Sequence, residues 1–169
     1  MRRGILLAFP ILLLTLILQT AVISRMTLLT GSADIILLIV AAWALQERVR
    51  SAWVWGALAG LMVGFVSAMP WYVYLAGYLA VVAFARVLTR RIWQAPLLAM
   101  FVVTFVGTLL LLFLAYLQHT LLDGVSLAFG EAFTQVFLPS LLLNLLLAIP
   151  IRSLMSDLAG WIQPAETIA

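Results

Sequence analysis

The chain has no cysteine and no lysine, a single histidine, and only 9% charged residues among 169. Without cysteine there is no disulfide framework and no thiolate metal site. With 66% hydrophobic residues and a mean hydropathy of +1.24, so little charge cannot clothe a soluble surface. Motifs of chemistry are equally scarce. No serine occupies a G-x-S-x-G turn, and no glycine-rich phosphate loop follows a strand. The apolar runs carry neither the paired acids nor the buried arginines of a proton-coupled pump. The net charge of +3 does not mark a nucleic-acid binder, because the nine arginines are scattered over the ends of apolar runs. His119, Asp123 and Glu131 share one loop, but lone histidine and acids without a common helical face describe a solvated loop. Nothing in the sequence calls for an enzyme, a cofactor or a metal.

What is there is a succession of apolar runs. The expected fold is all-α and polytopic, with six membrane spans at about residues 4–23, 28–45, 52–69, 71–88, 93–117 and 132–149. Met1-Arg2-Arg3 and the run after it have the form of a signal peptide, yet that run is long enough to span, so an uncleaved first helix is expected. The block from Ala52 to Leu88 decides the topology. As one helix it would be roughly 55 Å long at about 1.5 Å per residue, against a hydrocarbon core of about 30 Å. Met69-Pro70-Trp71 supplies the break, since proline suits the first turn of a helix and disfavours helix in the residue before it.

Splitting that block puts Arg2, Arg3, Arg48, Arg50, Arg86, Arg90, Arg91 and Arg152 on one side and only Arg25 on the other. A single crossing would give five against four. Short loops rich in arginine stay cytoplasmic, so both termini are expected inside. Trp43, Trp53, Trp55 and Trp93 then fall near the inner face and Trp71 at the outer turn, as interfacial anchors would. After a stop near Pro150, residues 151–163 read as a short amphipathic helix. Ile151, Leu154, Met155, Leu158, Trp161 and Ile162 lie on one side, with Arg152, Ser153, Ser156, Asp157 and Gln163 opposite. Such a helix would lie on the membrane surface or against a partner.

Six residues stand out as candidates for packing or partner binding. Gly56, Gly60 and Gly64 make a ridge along which another helix, from this chain or a partner, could approach closely. Asp34 opens the second span, where a carboxylate complements the helix dipole or could bind an ion or partner. Asn144 is a strongly polar side chain deep among leucines and needs a hydrogen-bond partner on a neighbouring helix. Pro150, six residues later, leaves the carbonyl of Leu146 without its usual donor.

Together these residues resemble the MreD family of bacterial rod shape-determining membrane proteins. Ala33-Asp34-Ile35-Ile36-Leu37-Leu38 is similar to that family's Pro-Asp-Leu-Leu-Leu segment, with alanine for proline. Gly56-Ala57-Leu58-Ala59-Gly60 resembles its glycine-rich third span, although Gly64 stands where the family often has aspartate. Leu141-Leu142-Leu143-Asn144 through Pro150 is similar to its last span. The resemblance implies a multi-pass protein of the bacterial inner (cytoplasmic) membrane with no enzymatic activity. It would be a scaffold of the peptidoglycan elongation complex that binds a bitopic MreC-like protein. Through it, cytoplasmic MreB filaments would be linked with the RodA glycosyltransferase and its class B penicillin-binding transpeptidase. A competing expectation comes from size and span count. A substrate-binding S-component of an energy-coupling-factor vitamin transporter would look alike, with its ligand near Asp34, the Met69–Trp71 turn and the 118–131 loop.

Overall fold

Prolines punctuate the helices in the computed structural model, which describes residues 2–21, 29–47, 49–67, 69–91, 94–121, 124 and 128–162. Pro10 has no N–H for the carbonyl of Leu6 and its ring crowds that carbonyl. The chain accordingly breaks at Leu7, between α1 (Arg2–Leu6) and α2 (Ala8–Ala21). Pro70 separates α4 (Ala52–Val66) from α5 (Trp71–Arg91), as the sequence leads one to expect. Pro96 takes the first position of α6 (Pro96–Leu121), where a missing N–H is no loss. The remaining elements are α3 (Ile35–Ala44), α7 (Phe129–Ala132), one π-helical turn (Phe133–Phe137) and α8 (Leu138–Ile162).

The described structure is all helical. Four stretches are long and apolar enough to cross a membrane: Gly4–Ala21, Trp71–Arg91, Pro96–Leu121 and Phe129–Ile162. The second and third apolar runs form shorter helices, α3 and α4. Of the residues singled out from sequence, Arg25, Arg48, Trp93, Asp123 and Gln163 lie outside the described residues.

The short α3 is the centre of the bundle. Every residue from Ile36 to Ala44 is buried, and the helix touches α2, α4, α5, α6 and α8. A helix apolar all round fits only where neighbours surround it. Alongside it, α4 and α5 run antiparallel with their backbones almost touching. A Cβ on Gly56 would stand 2.7 Å from Val82 Cγ2, one on Gly60 2.6 Å from Leu75 Cα, and one on Gly64 2.6 Å from Trp71 Cα. The glycine ridge is therefore filled by α5 of the same chain.

Two details depart from the sequence reading. Trp43 and Trp55 are not lipid-facing anchors; both are fully buried and stack with centroids 4.5 Å apart. Their indoles tolerate burial because Trp43 Nε1 donates to Ser51 Oγ (3.2 Å) and Trp55 Nε1 to the carbonyl of Gly4 (2.8 Å). Trp53 and Trp71 do remain about half exposed. Nor does the last span stop near Pro150: α8 continues through it to Ile162. The tail is the second half of that helix, its Ile151, Met155, Ala159 and Ile162 face belonging to the common core. Leu154 and Trp161, assigned to the same apolar side, point outward. Burying that face supports the helix across the one donor that Pro150 removes.

Candidate functional site

Ten helical residues give α3 a length of only about 15 Å. The residues before it, 31–34, are non-helical backbone at the end of the bundle away from Arg86, Arg90 and Arg152. In surroundings without water every such N–H needs a protein partner. Side chains from neighbouring helices serve two of these amides and one in the first turn of α3. Ser32 N donates to Ser140 Oγ (3.1 Å) and Asp34 N to Asn144 Oδ1 (2.8 Å), both acceptors on α8. Ile36 N donates to Gln19 Oε1 of α2 (3.2 Å).

The π-helical turn and Pro139 complete the arrangement. Pro139 has no N–H to give the carbonyl four residues back, which is that of Gln135. That freed carbonyl accepts both Thr30 N (3.3 Å) and Thr30 Oγ1 (2.7 Å). The chain before α3 is thereby stitched at three successive points, one on the π-helical turn and two on α8. Gly31 is required for this closeness, since a Cβ there would meet Ser140 N at 2.7 Å and Val136 O at 2.8 Å.

Asp34 is the N-cap of α3. Its Oδ1 accepts Leu37 N at 2.9 Å, satisfying a donor that the first helical turn leaves unpaired. The Tyr78 hydroxyl of α5 reaches both carboxylate oxygens (3.2 and 3.1 Å), and Gln19 Nε2 approaches Oδ1 at 3.4 Å. Asn144 in turn donates from Nδ2 to Thr108 Oγ1 of α6 (2.9 Å). One connected cluster thus joins α2, α3, α5, α6 and α8.

The cluster borders a cavity of about 190 Å³, whose wall includes Asp34, Gln19, Tyr74, Thr108, Ser140 and Asn144. Tyr74 is held there by the Ser67 hydroxyl, which donates to its phenol oxygen at 3.1 Å. Chemically the site offers one carboxylate, phenols, amides and hydroxyls, a donor and acceptor set suited to water or a small polar molecule. Among the described residues no three His, Asp or Glu side chains converge as metal ligands would. His119 lies in the last turn of α6 and Glu131 in α7, neither in the cavity wall.

Of the six residues singled out from sequence, the structure brings Asp34 and Asn144 into direct contact. Gly56, Gly60 and Gly64 lie on the α4–α5 seam, and Pro150 is exposed on α8. The sequence reading passed over Gln19, Gly31, Tyr78, Thr108, Pro139 and Ser140. Gln19 and Thr108 could have been found as isolated polar residues inside apolar runs. Compared with family models, curated proteins and solved structures, the chain matches none.

Proposed function

We propose that this chain is a non-enzymatic, six-span scaffold of the MreD kind in the bacterial cytoplasmic membrane. In this reading it binds an MreC-like bitopic protein and helps organise RodA, its transpeptidase and, indirectly, MreB filaments during wall elongation. The observation that carries the proposal is the hydrogen bond from Asp34 N to Asn144 Oδ1. It joins two of the three segments that resemble the family, which lie 110 residues apart in the chain. The same cluster spends its polar groups on holding five helices together, as a rigid platform requires. The third segment, the glycine ridge, serves internal packing against α5, so the partner surface lies elsewhere.

Six spans with both termini inside follow if α3 with its extended lead, and α4, each cross. The ten residues of α3 and the four of the lead together reach about 28 Å. Arg50, Arg86 and Arg90 border one groove, and Arg152 bonds the carbonyl of Pro96, which places these charges at one end of the bundle. Because the chain has no cysteine, single substitutions test the topology cleanly. Gly124→Cys should react with an impermeant maleimide from outside intact cells and Gln94→Cys only after lysis; the reverse pattern would invert the orientation.

Affinity purification in mild detergent, followed by mass spectrometry, tests the scaffold itself. A single-pass protein with an extracytoplasmic domain, or wall-synthesis enzymes, should co-purify. Recovery of a coupling subunit with paired ATPases would instead favour the vitamin-binding reading. The polar cavity is the observation on that side, but about 190 Å³ is below the usual range for small-molecule sites, roughly 300 to 1,000 Å³.

A further inference from the structure

A second cavity, of about 920 Å³ and open to the surface, lies at the arginine end and shares no wall residue with the Asp34 cluster. Arg50, Arg86 and Arg90 border it, with Glu47 as the one carboxylate. Arg86 and Arg90 sit one turn apart on α5 and so share a face. Arg86 Nη1 is tied to the carbonyl of Gln46 at 3.2 Å, which fixes this guanidinium at the groove wall. Among the described residues none of the three is held in an ion pair. Three cations therefore face one anion in a concave site.

The apolar part of the wall is as informative. Trp53 is 49% and Val87 60% exposed, and both border the same groove. From Trp71, Arg86 lies about 22 Å and Arg90 about 28 Å along α5, against a hydrocarbon core of about 30 Å. The guanidiniums thus reach one boundary of the core, where phosphates begin, while Trp53 has the amphipathic ring favoured at that level.

We propose that this groove binds an anionic phospholipid. Its phosphodiester sits among Arg50, Arg86 and Arg90, and its acyl chains descend over Trp53 and Val87. Guanidinium forks match phosphate oxygens in pairs, and basic pockets between spanning helices are suited to such headgroups. A free phosphate would gain nothing from the indole and valine surface. The inference needs only that the bundle sits in a bilayer, and it is independent of the scaffold reading.

The test uses the full chain in nanodiscs of mixed phosphatidylglycerol and phosphatidylcholine, with retained lipids counted by native mass spectrometry. The parent should retain phosphatidylglycerol preferentially. With each basic residue contributing about fivefold, the R50Q/R86Q/R90Q variant should lose on the order of a hundredfold in that preference. Arg152→Gln, outside the groove, should change nothing. Glu47→Gln should strengthen retention by about fivefold, a gain that misfolding cannot produce. Equal retention of both lipids, an unchanged triple variant, or a weaker Glu47→Gln would overturn the assignment. So would release of the lipid by low concentrations of inorganic phosphate, which would make this a free-oxyanion site.

Discussion

The α4–α5 seam and the α3–α8 seam join helices by opposite means. Along the first, three glycines remove side chains so that backbone meets backbone, with a would-be Cβ of Gly60 only 2.6 Å from Leu75 Cα. Along the second, an irregular stretch of backbone is held by Ser140, Asn144 and the carbonyl of Gln135. Helices in lipid have no hydrophobic drive toward one another, so close dispersion contact and interhelical hydrogen bonds are the available forces. The first seam rests on close contact, while the second rests mainly on hydrogen bonds, with Gly31 alone allowing a close approach. The glycine seam depends on shape and has no tolerance for added atoms. The polar seam depends on pairing and can lose a bond while keeping its packing.

Substitutions should separate the two. The largest effect is expected at Gly60→Leu, because the obstacle is the backbone of α5 rather than a movable side chain. A loss of about 3 kcal/mol should appear as a lower midpoint in denaturing-detergent titration; a variant as stable as the parent would contradict the seam geometry. Next comes Asn144→Leu, which leaves Asp34 N–H without its acceptor and Thr108 without its donor. About 1 to 3 kcal/mol is expected in the same titration.

Tyr78→Phe should be milder still. It keeps the ring between its neighbours and removes only the hydroxyl on Asp34, so about 0.6 kcal/mol is expected. Combined with Asp34→Asn, it should be less than additive, since both changes strike the same contact. The smallest and most local effect belongs to Pro139→Ala. Restoring an N–H there gives the Gln135 carbonyl a helical donor in competition with Thr30, so hydrogen exchange at Thr30 should quicken while the midpoint stays within about 0.5 kcal/mol. Unchanged exchange would mean that Pro139 is not what frees that carbonyl.

Features that act locally were legible in the sequence. Pro70 falls midway in an apolar block too long for one crossing, so the α4–α5 turn could be placed at residues 69–71. Glycines four apart announce a close approach, but not whose helix makes it; α5 of the same chain is the answer only in three dimensions. Asp34 could be read as a cap, and Asn144 as a group needing a partner. Their pairing could not, because no periodicity connects positions 110 residues apart. The extended lead to α3 was hidden for a related reason. Hydropathy sums to the same value whether apolar residues coil or stretch, and it is α8 that permits stretching. Trp43 and Trp55 misled because an indole near a span end suits a lipid interface and a hydrogen-bonded core equally well. At Pro150 the local rule was overridden by the core contacts of Ile151, Met155 and Ala159.

The stitching of the chain before α3 to α8 also sets a timetable for biosynthesis. Asp34 leaves the ribosome 110 residues ahead of its acceptor Asn144. At translation rates of roughly 5 to 20 residues per second, that is about 6 to 22 s. Throughout that interval the lead to α3 has exposed amides and no acceptors, so it must wait in the translocon or at the headgroup layer. The second apolar run is thus among the first made and the last to be seated, and nascent chains arrested short of Asn144 would be substrates for membrane quality control.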